Sequence, residues 1–270
     1  MGRRRLLFGL QLAFTLAVCA FLIVPVVLSM LAGLTVNYLV GIESGLTLRW
    51  VYEVWDGYRN TIFASIGLSL ACLAVTLLLG VPIAYALAKR QNNFTRAVEE
   101  LLVMPVAVPG LATALALIVT YGAQGGFRTS WSFILVGHVL FTLPFMVRSV
   151  LAVLMAIDLK TLEEGAASLG ASFWQRFRHI VLPNCKNGIL AGSLMVVTLS
   201  MGEFNMTWLL HTPFTKTLPV GLADAYASLR LEVGSAYTLI FFLMITPLLL
   251  AMQVFASQKP RKFVPEDDHV

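Results

Sequence analysis

The segment DLKTLEEGAASLGASFWQRFRHIVLP, residues 158–183, has the pattern of two short helices joined by a glycine. Thr161 and Glu164 have the spacing of a capping box, which predicts that the first helix begins at Thr161. Gly170 is the residue type that most readily takes the left-handed conformation in which helices end. The segment is therefore predicted to be a helical hairpin, with its first helix at about 161–170.

The second half of this hairpin repeats the capping pattern. Ser172 and Gln175 predict a new helix start, and Pro183 would end that helix or lead into the next apolar run. Gly165 and Ala166 leave the first helix almost without side chains on one surface, which another protein's backbone can approach closely. Three interpretations remain open at this point: a protein-docking helix, a hairpin that packs only on its own membrane helices, and a DNA-binding helix–turn–helix. A loop tethered to a membrane at both ends is poorly suited to the last.

The rest of the chain is apolar enough for a membrane protein. Of its 270 residues, 58% are hydrophobic and 12% are charged, whereas globular domains have about a quarter of their residues charged. Runs of roughly 18 or more apolar residues can cross a bilayer, where helices satisfy the backbone without water. The predicted fold class is all-α, a polytopic membrane protein with six transmembrane helices, and Pro105 and Pro109 break the entry to the third. The six runs are 6–34, 61–88, 101–121, 131–157, 189–210 and 236–256.

Basic residues are distributed unevenly between the two sides of these predicted spans. One side carries thirteen of them and the other five, and such an excess marks the cytoplasmic side. Both termini are therefore predicted to be cytoplasmic, and the net charge of +5 reflects topology rather than binding of nucleic acid. The larger set is Arg3, Arg4, Arg5, Lys89, Arg90, Arg96, Lys160, Arg176, Arg178, Lys186, Lys259, Arg261 and Lys262. The smaller set is Arg49, Arg59, Arg128, Lys216 and Arg230.

The fifth run contains an ionisable residue, which is costly in a membrane and indicates a functional site. Glu203 and Thr207 are four residues apart and Ser200 lies one turn earlier, so a continuous helix would place them on one face. They are candidates for lining a translocation path, where a carboxylate suits a cationic solute. Alternatively, Glu203 pairs with Arg148 or with a basic residue of a partner. Pro144 interrupts the fourth run, either beside the path or as a packing kink.

The sequence lacks the motifs of the common enzyme classes. It has no Gly-x-x-x-x-Gly-Lys-Ser/Thr phosphate loop, no His-Glu-x-x-His pair and no Gly-x-Ser-x-Gly elbow, so neither ATP hydrolysis nor hydrolytic catalysis is indicated. Its three cysteines follow no metal spacing and its four histidines are scattered. No cofactor and no metal ligand is predicted.

The hairpin resembles a motif of the inner-membrane permeases of binding-protein-dependent ABC importers. That motif is Glu-Ala-Ala, three residues, Gly, nine residues, Ile, one residue and Leu-Pro. Glycine at the position of the first alanine departs from the pattern and weakens helix propensity by up to about 1 kcal/mol. The residues at the matching intervals are Glu164, Gly165, Ala166, Gly170, Ile180, Leu182 and Pro183.

This resemblance implies an ABC importer type I permease fold, in the bacterial inner membrane, that is not itself an enzyme. The implied partners are a cytoplasmic ABC ATPase dimer that binds the ATP, a second permease subunit, an external solute-binding protein and the lipid bilayer. The first hairpin helix would be the coupling helix, in which Glu164 contacts the ATPase or caps the helix, and Ala166 and Gly170 permit close approach. The implied domains are an N-terminal helix with its external loop at 1–57, a core permease domain at 58–257 and a cytoplasmic tail at 258–270.

Within the family, the chain resembles spermidine/putrescine-type permease subunits most, which implies a polyamine as the solute. Permeases for 2-aminoethylphosphonate or for an oxyanion are the alternatives. A rival of another class is an ion-coupled secondary transporter, which predicts inverted repeats and several intramembrane carboxylates. The sequence shows one strong intramembrane carboxylate and no clear repeat.

Overall fold

The computed structural model describes residues 2–256, and within them the fold is all-α, as predicted. A single antiparallel bridge between Thr35 and Leu46 is the one strand-like pairing in that range. The predicted tail at 258–270, with its basic residues Lys259, Arg261 and Lys262, lies outside the described residues. The domain division at 1–57 and 58–257 stays a prediction, although one helix runs through that boundary.

Thirteen α-helices follow one another within residues 2–256. A short 3-10 helix at Gly41–Ser44 and a π-helical turn at Phe177–Val181 supplement them. The helices are α1 (Gly2–Ala32), α2 (Arg49–Lys89), α3 (Asn93–Ala107), α4 (Gly110–Tyr121), α5 (Gly125–Arg128), α6 (Trp131–Met155), α7 (Leu159–Ser168), α8 (Phe173–Arg176), α9 (Leu182–Asn184), α10 (Lys186–Gly202), α11 (Asn205–Leu210), α12 (Leu218–Ala227) and α13 (Leu231–Ala256).

Four helices are long and apolar enough to cross a membrane, namely α1, α2, α6 and α13. Two bent pairs pass the same test, so the count reaches the predicted six if each pair forms one span. Helix α1 differs from the other three in burial. In the most apolar stretch of α1, none of the residues is buried inside the structure.

The third predicted span is not one straight helix. Helices α3 and α4 meet at an angle of 102°. Val108 is extended at the break, as expected of a residue before proline, and Pro109 has no N–H with which to continue the helix. Pro105, which was also predicted to break the entry, lies inside α3.

The fifth predicted span was wrong at its end. The run 189–210 was expected to be one helix, but α10 ends at Gly202 and α11 begins at Asn205. At its start, α10 is bent by 68° from the helical segment Phe173–Asn184.

The chain divides into two compact units. Unit 1 comprises the described parts of Met1–Leu68, Ile118–Ile134 and Met201–Ile245. Its core gathers the first turns of α2 with α12 and α13, through residues such as Val54, Leu218 and Tyr237. Unit 2 comprises the described parts of Ser69–Leu117, Leu135–Ser200 and Thr246–Val270.

Helix α6 forms the centre of the unit 2 core. Glycines on neighbouring helices allow the backbones of those helices to come close to α6, as is common between membrane helices. A Cβ on Gly80 of α2 would lie 2.7 Å from Met146 Cγ, and one on Gly192 of α10 would lie 2.7 Å from Met146 Sδ. A Cβ on Gly188 would lie 2.6 Å from the Ser149 carbonyl oxygen.

Candidate functional site

The N-cap of the first hairpin helix lies three residues earlier than the predicted Thr161. Asp158 is its N-cap: its Oδ1 accepts the Thr161 N–H at 3.2 Å, and its Oδ2 accepts the Thr161 hydroxyl at 2.6 Å. The predicted capping box of Thr161 and Glu164 was therefore wrong. The Asp158 carboxylate accepts the Thr161 N–H, so the helix is already capped three residues before Thr161. These hydrogen bonds lower the pKa of the Asp158 carboxyl below its usual value.

The predicted end of this helix is confirmed. Gly170 has a φ of +81°, in the left-handed region. The Gly170 N–H donates to the Ala167 carbonyl at 2.9 Å, and the Ala171 N–H donates to the Ala166 carbonyl at 3.0 Å. This pair of bonds is a Schellman motif, which satisfies the last carbonyls of the helix and turns the chain sharply.

The second helix of the hairpin is capped as predicted. The Gln175 N–H donates to the Ser172 hydroxyl, and the Gln175 side chain accepts the Ser172 N–H at 2.7 Å. The helix then widens into the π-helical turn, in which the Leu182 N–H reaches the Phe177 carbonyl. Pro183 follows within α9, just before the bend into α10, so this helix leads into the fifth span.

The tip of the hairpin is open. A Cβ built on Gly165 or on Gly170 would meet no atom within 4 Å. Leu169 is 89% exposed and Trp174 is 72% exposed, although both side chains are large and apolar. Glu164 is exposed as well, with only a 3.9 Å ion pair to Lys160. Among the other motif residues, Ala166, Ile180 and Leu182 are half-buried and Pro183 is exposed.

The sequence analysis missed the acidic residue that holds the hairpin in place. Glu163 is 4% exposed, and its Oε1 accepts the Tyr85 hydroxyl at 2.5 Å. Its Oε2 lies 3.1 Å from Lys89 Nζ, which also donates to the Tyr85 hydroxyl at 3.1 Å. Tyr85 and Lys89 belong to the last turns of α2. A signal was present in the spacing, because Glu163 follows the buried Leu159 by four residues and so shares its face.

Aromatic rings complete the seat of the hairpin on α2. The Tyr85 ring lies 5.6 Å from that of Phe177, edge to face, and 6.2 Å from that of Phe173. The Phe173 and Phe177 rings stack at 6.1 Å. The hydroxyl of Tyr85 therefore bonds the first hairpin helix, and its ring packs on the second.

A polar cavity of about 440 Å³ lies beside this seat. Lys89, Lys160, Glu163, Glu164 and Arg176 contribute the charged part of its lining. The Arg176 Nε is buried and has no hydrogen-bond partner among the residues that the structure describes. Buried donors are normally paired, and a cationic guanidinium in the wall of the cavity suits a carbonyl or carboxylate group.

The candidate path residues of unit 2 form a buried polar cluster. The Ser200 hydroxyl lies 2.8 Å from His138 Nδ1. The Thr142 hydroxyl donates to the His138 carbonyl at 2.7 Å and lies 3.2 Å from Cys72 Sγ. Pro144 is buried two residues further along α6. His138, one of the four scattered histidines, is fully buried.

The other two path candidates lie in unit 1 and do not share a helical face with Ser200 in the way predicted. That prediction was wrong because the helix breaks at Glu203. Its Oε1 accepts the Met206 N–H at 2.7 Å, and its Oε2 accepts the N–H of Thr207 at 2.8 Å and the hydroxyl of Thr207 at 2.6 Å. A carboxylate that bonds the first amides of α11 favours a new helix start over continuation of the old one.

Helix α11 is held at its other end by a cation. Arg128 donates to the carbonyls of Leu210 at 2.8 Å and Leu209 at 3.1 Å. An acid at the N-terminus and a base at the C-terminus both match the helix dipole. Within unit 1, this arrangement assigns Glu203 a clear structural task, whether or not it also contacts a solute.

A second polar cavity, of about 360 Å³, lies in unit 1. Lys216 is paired with Asp224 on one wall. Arg230 bonds both Glu53 and the Tyr58 hydroxyl on another, which ties the start of α13 to that of α2. In the described range 2–256, no cluster of three His, Cys, Asp or Glu side chains is arranged to hold a metal ion.

Comparisons with known proteins agree with the resemblance. Residues 76–259 match the model of the family described as binding-protein-dependent transport system inner membrane component. The chain is 25% identical over 246 residues to PhnV of Salmonella typhimurium, assigned as a 2-aminoethylphosphonate transport system permease, covering 90% of this chain and 92% of PhnV. It is 28% identical over 267 residues to PotC of Escherichia coli, a spermidine/putrescine transport system permease, covering 95% of this chain and 96% of PotC.

Among solved structures, the fold is similar to a chain of a bacterial ABC transporter involved in the import of the acidic polysaccharide alginate. The TM-score is 0.71 at 17% identity, with 94% of this chain and 96% of that chain covered. At this identity the likeness supports the fold and says nothing about the solute.

Proposed function

Because this chain belongs to the family of binding-protein-dependent transport system inner membrane components, we propose that it forms, with a second permease subunit, the path by which a small solute enters the cell. The chain is a permease subunit of an ABC importer and a multi-pass inner-membrane protein. The ion-coupled alternative is set aside, since membership of this family leaves it without support.

The proposed site of energy input is the hairpin. The observation that carries this proposal is its exposed tip, where Leu169 and Trp174 present apolar side chains outside the apolar runs. Such side chains are characteristic of a surface that another protein covers. A cytoplasmic ATPase seated on the tip would bury them, and the backbone beside Gly165 and Gly170 offers it open space.

Charge complements this surface. An acidic or carbonyl group of the ATPase could enter the 440 Å³ cavity and bond Arg176, whose Nε is buried without a partner in the described range. Glu164, exposed at the same cavity, would receive a basic group. ATP would be bound by the partner alone, and this chain would need no cofactor.

The orientation follows from the same proposal. If the hairpin faces a cytoplasmic ATPase, α12 and the 360 Å³ cavity of unit 1 belong to segments predicted on the opposite side. An external solute-binding protein would deliver its cargo there, and both chain termini would be cytoplasmic, as the basic residues predict.

For the solute, we infer a polyamine such as spermidine or putrescine, with 2-aminoethylphosphonate as the second candidate. The support is the similarity to PotC and PhnV, whose solutes both carry a protonated primary amine. Glu203 adds little support for a cationic solute, because its carboxylate already accepts three hydrogen bonds at the start of α11.

The test is co-purification from native membranes in mild detergent, followed by identification of the bound proteins. We expect a phosphate-loop ATPase and a six-span protein, either a second copy or a related chain. The solute-binding protein of the same system should then be titrated with spermidine, putrescine, 2-aminoethylphosphonate and sulfate.

Tight binding of a polyamine would support the first solute, and binding of the phosphonate would replace it. Sulfate binding without either amine would overturn the amine proposal. A chain that purifies without any ATPase, under conditions that preserve other ABC complexes, would contradict the proposed function itself.

A further inference from the structure

Glu163, Tyr85 and Lys89 close a ring of three polar contacts, which we call the Glu163 latch. Each member contacts the other two, at distances of 2.5 to 3.1 Å. The Glu163 side chain is 6% exposed and that of Lys89 is 46% exposed. The carboxylate is therefore out of the solvent, while its cation reaches the surface.

A buried carboxylate such as that of Glu163 is unusual at a packing contact. Apolar side chains of similar volume usually pack as well as a buried ion pair, because burial removes the hydration of both charges. What a hydrogen-bonded charge adds is direction. Its partners must hold one geometry, whereas apolar surfaces can slide over one another. The latch thus fixes the position of α7 along α2.

The latch adds a third attachment to a hairpin that otherwise has two. One covalent end is the short connection from α6 to α7, and the other is the bend of 68° into α10. Helix α2 is far away in sequence, since Tyr85 and Glu163 are 78 residues apart. Side chains join it to the hairpin, among them the latch and the rings of Phe173 and Phe177 against Tyr85.

We propose that Glu163 is a positioning residue for transport, which makes the end of α2 move together with α7 when the hairpin tip is displaced. The inference rests on the proposed function, in which an ATPase supplies that displacement. Without the latch, the Tyr85 ring still packs on the hairpin, but no directional bond prevents α7 from shifting along α2. ATP would then be hydrolysed with less movement of α2 and fewer solute molecules carried.

A role in folding alone predicts something different. If Glu163 only held the hairpin in shape, its loss would weaken ATPase binding and hydrolysis together with transport. A positioning role predicts that the ATPase still binds and still hydrolyses, while the number of solute molecules imported per ATP falls. The ratio of import to hydrolysis separates the two roles.

The experiment uses the whole transporter, co-purified with its ATPase, in proteoliposomes supplied with the solute-binding protein and its solute. The variants are Glu163→Gln, Tyr85→Phe and the two combined. Tyr85→Phe keeps the ring and removes only the hydroxyl, so it preserves the aromatic packing. The matched control is Glu100→Gln, an exposed acid of α3 with no hydrogen bond or ion pair to another described residue.

We expect the import-to-hydrolysis ratio to fall about tenfold in Tyr85→Phe, the size associated with a hydrogen bond to a charged group. In Glu163→Gln the ratio should fall by a similar or smaller factor, since the amide oxygen can still accept from the Tyr85 hydroxyl. The import-to-hydrolysis ratio of the combined variant should fall little further, because both changes weaken the same set of three mutual contacts. Glu100→Gln should match the unaltered protein.

The proposal is overturned if all the latch variants keep the normal ratio. It is also overturned if they lose the ATPase from the complex, or if the two single effects multiply in the combined variant. Failure of the proposed function looks different, because the unaltered protein would then purify without an ATPase before any variant is made.

Discussion

His138 Nδ1 and the Ser200 hydroxyl lie 2.8 Å apart, and both side chains are buried within unit 2. The contact joins α6 to α10. Hydrogen bonds between membrane helices contribute roughly 0.6–2 kcal/mol each. The neighbouring Thr142 hydroxyl bonds the His138 carbonyl on the same helix, and the histidine side chain carries the cluster on to α10.

Ser200→Ala should therefore lower the free energy of unfolding by roughly 0.6–2 kcal/mol, because a buried ring nitrogen loses this partner. Thermal denaturation of the detergent-solubilised protein measures the change. Ser228→Ala is the control, since that serine is exposed and its hydroxyl makes no hydrogen bond within the described part of the chain. It should stay within about 0.5 kcal/mol, and equal losses in the two variants would refute the assignment.

Two glycines of α10 should differ in what an added methyl group costs. At Gly188 the new Cβ would lie 2.6 Å from the Ser149 carbonyl oxygen, which is backbone and cannot move aside. At Gly192 the nearest atom is the flexible Met146 Sδ. Gly188→Ala should destabilise by about 1–3 kcal/mol or more, and Gly192→Ala by less. Denaturation of both variants in the same detergent checks the order, and the reverse order would contradict this packing.

Glu203 should behave as a helix cap. Glu203→Ala should cost about 1 kcal/mol of stability, the usual value of a side-chain cap, whereas Glu203→Gln keeps one of the two accepting oxygens and should cost less. Solute uptake is the second readout. If uptake falls in Glu203→Gln while its melting temperature holds, the carboxylate also lines the path. If uptake follows stability in both variants, Glu203 is structural only.

Gly170 and Gly57 should respond to alanine with opposite signs. Gly170 has a φ of +81°, where a Cβ costs roughly 1–2 kcal/mol. Gly57 lies inside α2 with open space around it, so alanine there should improve helix propensity by up to about 1 kcal/mol. Thermal denaturation gives the signs, and binding of the ATPase should weaken only in Gly170→Ala. Equal behaviour would mean that the hairpin turn does not need its left-handed residue.

Asp158 should make the hairpin sensitive to acid. Its hydrogen bonds to Thr161 lower its pKa in the folded protein. A lowered carboxyl pKa stabilises the fold above the unfolded value of about 3.9, and that contribution is lost as the pH falls through the folded value. Hydrogen exchange of the α7 amides, corrected for intrinsic rates, should lose protection as the pH falls below about 4. Asp158→Asn should remove this dependence, and an unchanged pH profile would argue against the cap.

The fold class and the ends of the hairpin could be predicted because each depends on local chemistry. Apolar length predicts the spans, and Gly170 and the Ser172–Gln175 pair each determine a turn through bonds within a few residues. The start of α7 was misplaced for a related reason. Asp158 and Thr161 can both cap a helix, and only the three-dimensional arrangement shows that the charged one takes the amide.

The contacts that locate the hairpin could not be predicted in this way. Glu163 and Glu164 are identical in type and adjacent, and the family motif directs attention to the second. Which of them is buried depends on Tyr85, 78 residues away. The break at Glu203 was missed because the apolar run continues through it, although a glycine followed by an acid three residues before Met206 is a typical helix stop and start.

The side chains of helix α1 that would contact a membrane are not the ones that stabilise the folded chain. Every side chain of α1 from Arg5 to Pro25 is exposed. They therefore contribute almost nothing to the free energy of unfolding. Substitutions there should leave denaturation curves unchanged. Whatever constrains the sequence of α1 must act through lipid or through a second polypeptide, so its variants should be scored in membranes and in the assembled complex.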